Sequence, residues 1–186
     1  MATLILDPGL ERECRDRHPD CFTECWDGVR VVSPVPNDEH QDIQAGLLTF
    51  LYTIVQREHR GVVRGNVNLT NRRTKWAKNY RVPDLACFLE GSAAINRGSH
   101  WFGGADFLVE IISEGEEPHA KLDFYAGLGN RELLIVERDP WALELFRLKD
   151  GTLASTGRCD VDSDRTLNCE SLGLTFRLES GSAAAH

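Results

Sequence analysis

The sequence predicts one α/β domain, a mixed sheet flanked by helices. Three observations carry that expectation. A helix-period apolar stripe follows a short N-terminal strand. Several strand-like runs come after it. A second helix then leads into two more strands, and helix, strands, helix, strands is the order of a layered α/β domain. At 186 residues the chain is of single-domain size, with 41% hydrophobic and 27% charged residues, an ordinary globular composition. A single domain over 1–179 is expected, and the tail SGSAAAH (180–186) reads as unstructured.

In order, VRVVSPV (29–35) follows the turn pair Asp27-Gly28 and reads as a strand. Asn37 or Asp38 then offers a cap for a helix running from 40 to about 57, with Ile43, Leu47, Leu51 and Ile54/Val55 on one face. Residues 62–69 partly alternate as a strand does, and 72–80 is polar, a loop or hairpin tip. VPDLACFL (82–89) is a strand with Pro83 near its start, where proline is tolerated. FLVEII (107–112) is a near-continuous apolar run, as in a strand covered on both faces. Glu116 or Glu117 opens a helix with Pro118 in its first turn, and that helix ends near Gly127 or Gly129. ELLIVE (132–137) is a buried strand, and 141–148 its hairpin partner after Asp139-Pro140.

No run approaches the ~20 apolar residues of a membrane span, and the start MATLIL lacks the pattern of a secretory signal. A cytoplasmic location is therefore the expectation. The six cysteines, at 14, 21, 25, 87, 159 and 169, are expected to be reduced thiols. Cys14, His18, Cys21 and Cys25 have zinc-ligand chemistry, but their spacing fits no common zinc pairing. Formal net charge is −8, unfavourable for a nucleic-acid binder, yet the distribution is uneven. Residues 57–81 hold eight basic residues (Arg57, Arg60, Arg64, Arg72, Arg73, Lys75, Lys78, Arg81) against Glu58 alone, a local +7 that leaves −15 on the rest. Such a stretch is either a phosphate-contact surface or a solvated loop and strand face.

Glu110 is the residue the fold does not need. A carboxylate inside FLVEII must be paired, protonated or bound to a metal, because burying it alone costs several kcal/mol. The alternatives are an edge position or a buried ion pair. Asp84, at the head of VPDLACFL, either caps a turn or joins Glu110. Two acids on neighbouring strands place oxygens around one hard cation, and Mg²⁺ accepts one or two carboxylates. Lys121 can add a charge-stabilising ammonium from the following helix, where Glu117, Lys121 and Tyr125 are spaced to share a face. An ordinary exposed Glu117–Lys121 pair is the competing explanation.

The segments ECWDGVRVVSPVPNDEHQDI, VPDLACF, FLVEIIS and KLDFYAGLGNRELLIVERDP resemble the Uma2 family (DUF820), inferred endonucleases of the PD-(D/E)xK superfamily, over roughly residues 22–178. The resemblance implies a restriction-endonuclease-like mixed β-sheet flanked by helices, with an N-terminal β-hairpin extension. It implies metal-dependent hydrolysis of DNA phosphodiesters, with Mg²⁺ or Mn²⁺ as cofactor and DNA as partner, in a homodimer or larger homo-oligomer. Pro83-Asp84 stands as the "PD" and Glu110 as the "D/E"; both carboxylates would hold metal. The usual lysine two residues on is replaced by Ile112, and Lys121 matches a lysine moved onto the next helix. His40 and Glu117 match further candidates for ligation or proton transfer, Ser113 the serine after the strand, and Glu24 the glutamate before the turn. Arg72, Arg73, Lys75, Lys78 and Arg81 would contact nucleic acid. Two departures point the other way: SEGEEPHAK is shorter than the family's usual run, and it is strongly acidic. They favour a nuclease-like fold kept as a binding or assembly module; a hydrolase of another phosphoester is the third reading.

Overall fold

The computed structural model of the chain describes residues 3–5, 22–33, 36–113, 117 and 119–180. The candidate zinc positions Cys14, His18 and Cys21, and nearly all of the terminal tail, lie outside the described residues. Cys25, Cys87, Cys159 and Cys169 are buried and unpaired. No described helix is long and apolar enough to cross a membrane.

The N-terminal part is a small antiparallel sheet. β1 (Thr3–Ile5) and β2 (Phe22–Trp26) flank β3 (Val29–Ser33), and β2 and β3 form a hairpin. Asp27 and Gly28 both take positive φ in its turn, +50° and +93°, the backbone such a two-residue connection requires. Helix α1 (Asp38–Leu51) is capped by the Asn37 side chain, which accepts from the His40 amide at 3.0 Å. Its end widens, with Arg57 N bonding Tyr52 O at 3.0 Å, so helical character reaches Gln56, as the apolar stripe predicts.

The core is a six-stranded mixed sheet. β4 (Gly61–Gly65), β6 (Leu85–Leu89), β9 (Phe107–Ile111), β10 (Glu132–Arg138), β11 (Trp141–Lys149) and β12 (Thr152–Asp160) are hydrogen-bonded in the order β12-β11-β10-β9-β6-β4. β9 and β10 are parallel and all other neighbours antiparallel. Strand alternation divides the side chains between two cores. Leu85, Cys87, Phe107, Val109, Ile111, Leu134 and Val136 pack under α1. Ala86, Phe88, Leu108, Leu133 and Ile135 pack under α2 (Leu122–Leu128) with Tyr125 and Ala126. A hairpin of β13 (Leu167–Cys169) and β14 (Leu174–Phe176) closes the first core. Short strands β5 (Leu69–Thr70), β7 (Ile95–Asn96) and β8 (Trp101–Phe102) make a small sheet beside the second.

One element differs from its expectation. The second helix begins at Leu122, not at 116–117. Ala120 N bonds Glu117 O and Leu122 N bonds His119 O, tight i→i+3 turns in place of an α-helical first turn. Glu117 therefore does not share a helical face with Lys121 and Tyr125.

Candidate active site

Glu110 belongs to the alternation that builds the second core. With Phe107, Val109 and Ile111 committed to the α1 side, Glu110 shares the α2 side with Leu108. The antiparallel pair Leu85↔Val109, continued one step, brings Asp84 beside Glu110. Asp84 is fixed at that strand head from both sides. Its Oδ2 accepts from the Ile111 amide at 2.7 Å, and its Oδ1 lies 2.9 Å from His40 Nε2 at the start of α1. Gln44, one turn further along α1, donates to the Asp84 carbonyl at 3.0 Å. Ser113 Oγ stands 3.4 Å from His40 Nδ1, the opposite ring nitrogen.

Lys121, at the N-terminal end of α2, sends its ammonium back to Glu110, with Nζ 3.2 and 3.1 Å from the two carboxylate oxygens. The same ammonium lies 3.1 Å from Oε1 of Glu24 on β2. Glu24 is itself held by the Val82 amide at 2.8 Å and the Trp26 indole at 2.7 Å. Tyr125, one helical turn after Lys121 and fully buried, donates its hydroxyl to Glu110 in a very short hydrogen bond. Three carboxylates, one ammonium and one imidazole thus converge from five separate segments.

The charge balance is uneven. Burial pushes the Glu110 carboxyl up to about 8; Asp84 and Glu24 add to the rise, while Lys121 and the Tyr125 hydrogen bond oppose it. Burial also works against the Lys121 charge, but Glu110 and Glu24 outweigh it and hold the ammonium protonated above its ordinary range. Burial and the same carboxylates raise Tyr125, so its phenol keeps the proton it donates. One cation serves more carboxylate than it can neutralise. That excess suits a hard divalent cation, and Asp84 and Glu110 are the residues that would hold it. Among the described residues no group of three or more His, Cys, Asp or Glu side chains is arranged as a metal cage. The protein's share would be the one or two carboxylates by which Mg²⁺ is ordinarily held, with water completing the shell.

Other candidate residues fall outside this cluster. Glu117 is exposed and bonds none of the cluster's side chains. Arg72, Arg73, Lys75 and Lys78 lie in the loop after β5; Arg73, Lys75 and Lys78 are exposed, and Arg72 pairs with Asp27 at 3.0 Å. Arg81 does not join them as a surface contact. It is 5% exposed, its guanidinium lies between the Trp26 and Phe124 rings at 4.0 and 4.1 Å, and it donates to the Cys25 carbonyl at 2.9 Å. A buried, stacked guanidinium fixes β2 against α2; it is not available to a phosphate. Sequence reasoning named Glu24 only by resemblance and gave Tyr125 no role. An acid alternating with Phe22 and Trp26 is the signal that would have singled out Glu24.

The Uma2 family, described as "Putative restriction endonuclease", matches residues 10–179. Among solved structures the chain is similar to "a putative nuclease belonging to DUF820 from Anabaena variabilis ATCC 29413". The TM-score is 0.65 at 15% identity, over 81% of this chain and 83% of that one, a likeness of fold. No curated protein matches the chain.

Proposed function

This chain belongs to the Uma2 family, and from that premise we propose that it hydrolyses DNA phosphodiester bonds with a divalent cation, Mg²⁺ or Mn²⁺. The observation that carries the reading is the convergence of Asp84, Glu110 and Lys121 beside Glu24, with too little positive charge for the carboxylates present. Bound at Asp84 and Glu110, the cation would polarise the phosphate and acidify a water.

The chain's own residues supply the rest. Tyr125 and Lys121 fix the orientation of Glu110, and His40 with the Ile111 amide fixes Asp84. Lys121 is the group placed to steady negative charge developing on a phosphate oxygen. Among the described residues it is the only cationic side chain bonded to Glu110, and a quarter of it, 24%, remains exposed. His40 is the candidate for proton transfer, since its second ring nitrogen is turned to Ser113. The loop cations would give affinity for the phosphate backbone and no base specificity.

The test is cleavage of supercoiled, linear duplex and single-stranded DNA in Mg²⁺ and in Mn²⁺, with Asp84→Ala as control. Cleavage that chelator and Asp84→Ala both abolish is the expected result. A second reading, a nuclease-like fold serving as a binding or assembly module, is favoured by the engagement of Lys121 with two carboxylates at once. DNA binding without cleavage under every metal condition would select it.

A further inference from the structure

The loop after β5 carries more than charge. The Trp76 indole stacks on the His100 ring with centroids 4.7 Å apart and planes 19° from parallel. It also meets Tyr80 edge-on at 5.4 Å. Both stacked rings are half-buried, and Lys75, Lys78 and Arg97 around them are exposed, as is Arg73, whose guanidinium stands 5.4 Å over the Phe102 ring. Burial and the neighbouring Arg97 hold His100 below its ordinary range, so at pH 7 the ring is neutral and offers a π face.

The stack is not needed to hold the loop. Thr70 Oγ1 donates to the Asn79 carbonyl at 2.6 Å, Gly28 N to the Lys78 carbonyl at 2.7 Å, and Asn79 Nδ2 to Asn71 Oδ1 at 3.2 Å. Arg72 adds its pair with Asp27. A loop framed by those bonds gains little from an indole left partly in water. Flat aromatic surface among cations is instead the arrangement that binds single strands, the rings taking bases and the cations taking phosphates.

We propose that the Trp76–His100 stack, ringed by Arg73, Lys75, Lys78 and Arg97, is a stacking platform for unpaired bases, so that the DNA this protein engages is single-stranded at that point. An intact duplex hides its base faces; a frayed end, flap or loop presents them. The platform is tied to the carboxylate cluster through β2: Tyr80, which meets Trp76 edge-on, pairs with Cys25, and the preceding residue, Glu24, holds Lys121. The inference rests on the DNA reading above, but its test does not depend on cleavage.

The full chain is titrated in Ca²⁺ against three labelled probes of equal length: a dT oligomer, a duplex, and a strand with the same phosphates but abasic sugars. The dT oligomer should bind about tenfold more tightly than either of the others, within the range for one base on one aromatic ring. Trp76→Ala should reduce dT to the abasic level, and Trp76→Phe should restore most of the difference. Melting curves check that the variants fold, and the wild-type comparison of dT with abasic DNA needs no variant. Equal binding of dT and abasic strands overturns the proposal. So does a Trp76→Ala loss that is the same for both, or no binding of dT at all. Selective dT binding without cleavage would sink the nuclease reading and leave the platform standing.

Discussion

Glu110→Gln in the metal-free protein is the sharpest test of the charge imbalance. The carboxyl is buried and titrates near 8, against 4.5 as an ordinary carboxyl. Because the folded value is raised, the native state holds the proton more tightly, and stability is lost as pH rises from about 4.5 through about 8. At pH 7 the native state has been forced to take up a proton across about 2.5 pH units, a cost of up to about 3 kcal/mol at 1.36 kcal/mol per unit. Gln keeps the shape, its oxygen still accepts from Tyr125 and Lys121, and Lys121 retains Glu24, while the amide nitrogen takes the place of the oxygen 3.1 Å from the Lys121 ammonium, a less favourable contact. The variant should therefore be more stable than wild type by ~1–3 kcal/mol at pH 7, the upper figure reduced by that amide–ammonium contact. The gain should shrink to under about 1 kcal/mol near pH 5 and level off above pH 8. Urea unfolding in chelator, at half-unit intervals from pH 5 to 8.5, measures this directly. A loss of a few kcal/mol across the whole range would mean that Lys121 requires the Glu110 charge, and the excess-carboxylate argument would fail.

Replacing Arg72, Arg73 and Lys75 with Ala should lower the slope of log affinity for duplex DNA against log salt by about 2, each phosphate contact being worth ~0.9 and Arg72 being partly spent on Asp27; an unchanged slope would make the loop a solvated face. Gly104→Ala should destabilise by ~3 kcal/mol, because an added Cβ would lie 2.6 Å from the Gly129 carbonyl carbon and collide with the Asn130 amide; denaturant midpoints at constant slope report it. Glu132→Gln should cost ~3–5 kcal/mol at pH 7, since this 2% exposed carboxylate accepts from Arg147, Ser171, Glu170 and Cys169. Its depressed pKa, where Ser171 and the other donors outweigh burial, means that the penalty should fade as pH drops below about 4.5.

The elements legible in the sequence were those that local chemistry dictates. The α1 stripe and the Asn37 cap are written in adjacent residues, and Glu110 stands out because no partner within its own strand can explain it. The sequence pattern places the start of α2 at Glu116 or Glu117, about one and a half turns before Leu122. Acids followed by Pro118 satisfy the usual helix-opening pattern, yet the Ala120 amide bonds the Glu117 carbonyl and the Leu122 amide the His119 carbonyl, both i→i+3. Arg81 shows the other kind of miss. Its place in a basic stretch suggested a phosphate contact, and only the meeting of Trp26 from β2 with Phe124 from α2 makes it a buried post. Such a contact joins residues far apart in the chain and leaves no periodic trace. Glu24 was obscured for a related reason: its partners are the Val82 amide and Lys121, at the opposite side of the domain in sequence.

The place of Lys121 on α2 can be argued from the same geometry. Two residues after Glu110, just past the end of β9, Ile112 is partly buried and packs into the core beneath α2. A lysine there would start among the apolar side chains of that core, Leu122 and Phe124 included. From the end of α2 an ammonium reaches both oxygens of Glu110 without crossing that core, and it also meets Glu24. Tyr125 is then one turn along on the same helix, aimed at the same carboxylate. The proposed mechanism needs an ammonium beside the Glu110 carboxylate, and in this chain the N-terminal end of α2 places it there. On the helix the lysine is coupled to Glu24, so the N-terminal hairpin would be part of the proposed site. The sequence distance between Glu110 and Lys121 is therefore a poor guide to whether the cluster is assembled; the pairing of Lys121 with both carboxylates is the better one.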